Sequence, residues 1–80
     1  MRYKILYWQH GGRCVEEFDN LERAVGLLRG GYDNGLLSPV GIYDNEENTV
    51  YGTDDRDIKE LKEYFNVIDA EANIDKKMLD

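Results

Sequence analysis

From Arg2 to Gln9 the chain alternates as a strand does, with Tyr3, Ile5 and Tyr7 on one side and Lys4, Leu6 and Trp8 on the other. Both sides are apolar or amphipathic, so both faces of this strand are expected to be covered. Gly11-Gly12 is a turn signal, because glycine reaches positive φ without steric penalty. Arg13 to Phe18 then reads as the return strand of a hairpin. The period changes after Phe18. Leu21, Ala24, Val25 and Leu28 follow the i, i+3, i+4, i+7 spacing of an amphipathic helix over residues 20–29. Asp19 is the expected N-cap, with Glu22 three residues on. Gly30-Gly31 is expected to stop this helix, and Tyr32-Asp33-Asn34-Gly35 to form a loop.

The second half repeats the plan of hairpin, then helix. Leu37 to Tyr43 reads as a third strand, with Pro39 marking a sheet edge or a strand start. Asp44 to Asn48 is a polar turn and Thr49 to Gly52 a short fourth strand. Asp54 or Asp55 caps a second helix through Phe65, with Ile58, Leu61 and Phe65 facing inward. Residues 66–80 leave a short third helix and a frayed tail both open, because Ile68, Ile74 and Met78 are irregularly spaced. The order β-β-α-β-β-α predicts an α+β fold: one domain over residues 1–80, a small antiparallel sheet and two helices on one face. Leu21, Val25, Leu28, Val40, Ile42, Ile58, Leu61 and Phe65 are the expected core. With Val40, Ile42 and Val50 turned to the helices, alternation places Tyr43 and Tyr51 on the bare sheet face. Trp8 joins them if Ile5 and Tyr7 point inward.

Composition narrows the function classes. A chain of 80 residues buries only about 60–65% of the surface its unfolded form exposes. Little core is left over for a deep, water-excluding pocket. Hydrophobic residues make up 41% of the chain and charged residues 34%, a balance that folds rather than one that stays disordered. The single cysteine, Cys14, excludes an intramolecular disulfide and a Cys₄ zinc site, and fits a reducing compartment. No apolar run approaches a membrane span, and Met1-Arg2-Tyr3-Lys4-Ile5 is too polar for a signal peptide. A cytoplasmic location is expected.

Charge is unevenly placed. Residues 1–43 carry as many acids as bases, so the whole net charge of −7 falls in residues 44–80. An acidic surface repels phosphate backbones, which argues against direct nucleic-acid binding and for a protein partner with a basic surface. Asp54, Asp55, Asp57, Glu60 and Glu63 lie on or near the second helix, where a carboxylate row could imitate phosphates. The same acids also have a plain structural use. They favour the helix dipole near its N-terminus, and Glu60 and Glu63 alternate with Lys59 and Lys62 as on any solvated face. The Asp44–Asn48 turn lacks the spacing and closing Glu of a calcium loop.

Three further constellations carry candidate chemistry. Six Tyr and one Trp are many for this length. A sheet face holding Trp8, Tyr43 and Tyr51 would be a contact surface, covered by a homodimer or another partner. His10 and Cys14 flank the Gly-Gly turn, but nothing in the sequence supplies the thiolate activation or the orienting third group that nucleophilic catalysis needs. His10, Gly11, Gly12 and Arg13 form a possible anion cradle, competing with an ordinary hairpin turn. No Walker A or dinucleotide fingerprint is present, and no cofactor or metal is implied.

The stretch Phe18-Asp19-Asn20-Leu21-Glu22-Arg23-Ala24, followed by Leu36-Leu37-Ser38-Pro39-Val40-Gly41-Ile42-Tyr43-Asp44, resembles short uncharacterised proteins of phages and Gram-positive bacteria. The resemblance spans residues 3–52 and implies a mobile-element setting, in which small acidic single-domain proteins often inhibit host defence enzymes. It assigns no residue a role. The expected function is therefore a non-enzymatic binding protein, a phage-type inhibitor or modulator of a host protein. A nucleotide-capturing oligomer, using aromatic stacking and Arg2 or Arg13, and a structural or assembly protein are the rivals.

Overall fold

The computed structural model describes residues 1–78. Its elements are β1 (Tyr3–Gln9), β2 (Gly12–Phe18), α1 (Leu21–Asp33), β3 (Ser38–Asp44), β4 (Thr49–Gly52), α2 (Asp55–Phe65) and β5 (Glu71–Ile74). The fold is α+β, and its first six elements come in the order read from the sequence. The five strands form one sheet in the order β2-β1-β3-β4-β5. The first three pairings are antiparallel, whereas β4 and β5 run parallel. The sheet is thus mixed rather than antiparallel.

Over the described residues, a fifth strand stands where the sequence left a short helix and a frayed tail open for residues 66–80; residues 79–80 of that stretch lie outside the described residues. Hydrophobic spacing does not reveal it because all four of its residues are exposed. Backbone bonds define it instead: Glu71 N donates to Asn48 O at 2.9 Å, and Asp75 N to Gly52 O at 2.8 Å. Ala70 just before it and Met78 just after it are buried and tie its ends to the core.

The helices lie on opposite faces of the sheet, not on one. Ala24 and Leu28 of α1 pack with Tyr3, Ile5, Tyr7 and Ile42. Ile58 and Leu61 of α2 pack with Leu6, Val40 and Val50. Ile5 and Leu6 are neighbours in β1 and point to opposite sides, so each anchors a different helix. Chain handedness explains the arrangement. β2-α1-β3 and β4-α2-β5 are both crossovers between strands of like direction, and both move the same way across the sheet. They start from strands running in opposite directions, so one shared hand puts their helices on opposite faces. The sequence did signal this through β1, whose two sides are both apolar.

Local chemistry sets the element ends. Asn20, rather than Asp19, caps α1, its side chain accepting from Arg23 N at 3.2 Å; the two residue types are equally good caps. The helix runs through Gly30-Gly31 to Asp33. Gly31 serves a close approach instead of a stop, since a Cβ there would lie 2.4 Å from Leu37 Cδ2. Asp54 caps α2 by accepting from Asp57 N at 2.9 Å, and Asn66 ends it in the left-handed conformation. Leu28, Val40, Ile42, Ile58 and Leu61 are buried as expected, while Leu21, Val25 and Phe65 pack at the margins of the two clusters. Pro39 sits second in an interior strand, where the β1–β3 register shifts.

Candidate functional site

The register shift in β3 decides where the aromatics go. Ile42 pairs with Ile5 and Tyr51, and these side chains share the α1 face. Tyr43 pairs with Val50 and turns to α2, where its ring stacks on Phe65 at 5.4 Å and its hydroxyl donates to Asn48 Oδ1 at 3.0 Å. Tyr51 packs against the α1 cluster, and burial pushes its phenol above the ordinary range. Tyr43 and Tyr51 therefore lie on opposite faces, and both are partly covered. The bare aromatic face expected from simple alternation does not exist, and the case for a dimer across it falls with it.

Trp8 does belong to a surface cluster, with partners the sequence did not connect to it. It follows Leu6 on the α2 side of β1 and is 38% exposed. Its indole Nε1 donates to Glu60 Oε2 of α2 at 2.9 Å. Arg13, opposite Trp8 in the hairpin register, lays its guanidinium over the Trp8 ring at 5.4 Å and over the Tyr64 ring at 4.9 Å. A 3.9 Å ion pair joins Arg13 to the same Glu60 oxygen. Four side chains from β1, β2 and α2 thus fix one another on the surface, through cation–π contacts and a charged hydrogen bond. Tyr64 was missed because it precedes the inward-facing Phe65 and carries no pattern of its own.

The hairpin turn explains the fate of the anion cradle. His10 (φ 53°) and Gly11 (φ 79°) both have positive φ and form a two-residue loop between the paired Gln9 and Gly12. That is the type I′ geometry that suits strand twist. Arg13 has left the turn and points into the Trp8 cluster. Cys14 faces the α1 side, its thiol 3.9 Å from Gly12 O, while His10 stays at the exposed tip. The structure does not bring the pair together, and no group of three or more metal-ligating side chains occurs among the described residues.

The acids divide by task. Asp54 is occupied as the α2 cap. Asp57 accepts from Thr53 Oγ1 at 2.9 Å, and burial pushes its carboxyl above the usual range. Glu60 holds Trp8. Asp55 and Glu63 remain exposed. Arg56, Lys59 and Lys62 are interspersed, so the helix carries a mixed-charge surface rather than a carboxylate row.

An open cleft of about 780 Å³ lies where β1, β4 and β5 end and β3 begins. Trp8, His10, Tyr32, Arg56, Asp57 and Lys76 are among its lining residues. The sequence reading named Trp8, His10 and Asp57 but missed Tyr32, Arg56 and Lys76, which the end of α1, the start of α2 and the exit from β5 bring to this end of the sheet. No helix among the described residues is long and apolar enough to cross a membrane. No family model, curated protein or solved structure matches the chain.

Proposed function

We propose that the chain is a non-enzymatic binding protein that docks on a protein partner through the Trp8, Arg13, Glu60 and Tyr64 cluster. The observation that carries this reading is the Arg13 guanidinium held over both rings on an open surface. Trp, Tyr and Arg are the residue types that dominate binding energies at interfaces. Here their rotamers are restrained before any partner arrives, which lowers the entropy lost on binding. The exposed Asp55 and Glu63 and the net charge of −7 favour a basic partner surface. In the mobile-element setting implied by the resemblance, that partner is a host defence protein, and the chain inhibits or modulates it. The test is affinity capture from a host lysate with wild-type and Trp8→Ala baits. A basic protein retained by the first and lost from the second, with both baits folded, is the expected result. Equal recovery on both baits removes the cluster from the interface.

The cleft supports a second reading, a small nucleotide as ligand. Its volume of about 780 Å³ falls in the range of ligand sites, roughly 300–1,000 Å³. Trp8 and Tyr32 offer ring faces, and Arg56 and Lys76 offer charge for phosphate. Native mass spectrometry and calorimetry with a panel of free nucleotides test it. Saturable binding that Lys76→Glu abolishes favours it, and absence of heat with every nucleotide sinks it.

A further inference from the structure

β2 is an edge strand, and its backbone points outward in a pattern that can be read residue by residue. Asn45 N donates to Arg2 O at 3.0 Å, so even-numbered residues of β1 turn their backbone groups toward β3. Odd-numbered residues of β1 therefore bond β2, through the pairs Tyr3–Phe18, Ile5–Glu16, Tyr7–Cys14 and Gln9–Gly12. This leaves Arg13, Val15 and Glu17 with N–H and C=O groups directed off the sheet. The edge runs seven residues without proline, whereas β5 at the other edge has only four. A long open edge is a template for another strand.

The side chains on this edge are self-complementary. Arg13, Val15 and Glu17 stand on the α2 side of the sheet, paired with Trp8, Leu6 and Lys4. If two copies meet antiparallel with Val15 opposite Val15, Arg13 of each copy lies opposite Glu17 of the other. All seven residues of each β2 then find a partner. The outward-directed residues pair with one another, as a hydrogen-bonded ladder requires. A slip of two residues one way sets Glu16 opposite Glu16, a like-charge pair. The opposite slip places Arg13 against Val15, and either slip shortens the ladder. Val15 is 37% exposed in the single chain and would pack against its own copy at the two-fold axis. Within the chain Arg13 makes a 3.9 Å ion pair with Glu60, and Glu17 a 3.6 Å contact with the amino terminus. Both contacts are long, but Arg13 is also held over the Trp8 and Tyr64 rings, so the cross-strand pair forms with Glu17 of the second copy approaching that guanidinium.

We propose that the chain forms a two-fold symmetric dimer by antiparallel pairing of β2 with β2 of a second copy, in the register that sets Arg13 opposite Glu17 and Val15 opposite Val15. The dimer carries one continuous ten-stranded sheet, twice the five strands of the single chain. It brings the two Trp8 clusters to the same side of that sheet, a bivalent arrangement on one face.

Register-specific cross-linking tests this directly. In the proposed pairing, Cys14 faces position 16 of the other copy in a non-hydrogen-bonded pair, where Cβ atoms come close enough for a disulfide. Wild-type chain is mixed with a variant carrying Cys14→Ser and Glu16→Cys, then oxidised mildly. A covalent heterodimer in intact-mass spectra, with little homodimer of either chain, is the expected result. Predominant homodimer of either chain overturns the register. No cross-link between folded chains overturns the dimer. Sedimentation supplies a second readout: Glu17→Arg should weaken dimerisation about tenfold by opposing two Arg pairs. Arg13→Glu added to Glu17→Arg should restore it. A wild-type chain that sediments as a monomer at its highest soluble concentration refutes the proposal whatever the variants do.

Discussion

Arg2 holds Asp44 across the sheet by two parallel bonds, Nε to Oδ1 and Nη2 to Oδ2, each 2.9 Å. Asp44 is 1% exposed, and its Oδ1 also accepts from Glu46 N and Glu47 N. One carboxylate therefore ties the start of β1 to the end of β3 and caps the turn into β4. The Arg2 guanidinium, joined by the turn N–H groups, holds the Asp44 carboxyl below the usual carboxylate range. Because the folded-state value is the depressed one, Asp44 stabilises the fold above the ordinary carboxylate pKa. That contribution is lost as pH falls through the lowered value. Asp44→Ala should remove about 2 kcal/mol, the scale of hydrogen bonds to a buried charge. Urea titrations should show the wild type losing stability on acidification below about pH 4, with a shallower acid slope in the variant. Parallel curves for the two proteins would show that another group controls the acid limb.

Gly41 answers to packing rather than to turn chemistry. A Cβ at this position would sit 2.2 Å from Tyr51 O and 2.7 Å from Leu61 Cδ1, so neither the neighbouring strand nor α2 leaves room for it. Gly41→Ala should destabilise by about 2–3 kcal/mol through overpacking. Gly26 lies on the open face of α1, where an added Cβ meets nothing within 4 Å. Gly26→Ala should stabilise by about 0.5–1 kcal/mol, as in any exposed helix interior. Thermal melts of the two variants should move in opposite directions from the wild type.

These glycines show what the sequence could and could not disclose. Strands β1, β3 and β4 and both helices were legible from apolar spacing, as with Ile58 and Leu61 in α2, and β2 from the Gly11-Gly12 turn that sends the chain back along β1. The bulge beside Val40 was not, and it put Val40 and Ile42, expected on one face, on opposite faces, so that Tyr43 shares the α2 side with Val40. A one-residue irregularity in backbone pairing leaves no trace in hydrophobic spacing yet redirects every side chain beyond it. β5 was hidden for a related reason, being held by main-chain bonds beneath exposed side chains. Within the candidate site, Trp8, Arg13 and Glu60 each stood out as a residue type. Their meeting depends on α2 crossing the same face as Leu6, a consequence of topology.

His10 and Cys14 should be dispensable. His10 sits in the exposed turn while Cys14 packs against the α1 cluster, and the His10–Gly11 turn needs positive φ more than it needs an imidazole. His10→Asn, which suits left-handed backbone, and Cys14→Ser should leave partner capture within about threefold, a change of well under 1 kcal/mol. A hundredfold loss in either folded variant would mean that a reactive pair forms in the complex.

The acids and the aromatics make separable predictions for the partner complex. Reversing Asp54, Asp57 and Glu60 together would confound the test. Asp54→Lys removes a helix cap worth about 1 kcal/mol, Asp57 bonds Thr53, and Glu60 positions Trp8. Asp55 and Glu63 are exposed, and each contributes only its charge. Asp55→Lys opposes the helix dipole in the first turn of α2 and Glu63→Lys favours it in the last turn, so the two effects, each about 0.3–1 kcal/mol, should nearly cancel and leave the circular dichroism spectrum and melting temperature close to wild type. Exposed charges act mainly on encounter, over a Debye length of about 8 Å at physiological salt. The double variant should bind more slowly at low salt and approach the wild-type rate as salt rises, with dissociation little altered. Trp8→Ala should do the reverse, leaving association almost intact and speeding dissociation, because it empties the packed centre of the contact. Surface plasmon resonance across a salt series separates the two. If Trp8→Ala dissociates as slowly as wild type while the charge reversal abolishes binding at every salt concentration, short-range contacts of the acids hold the complex and the aromatic cluster does not.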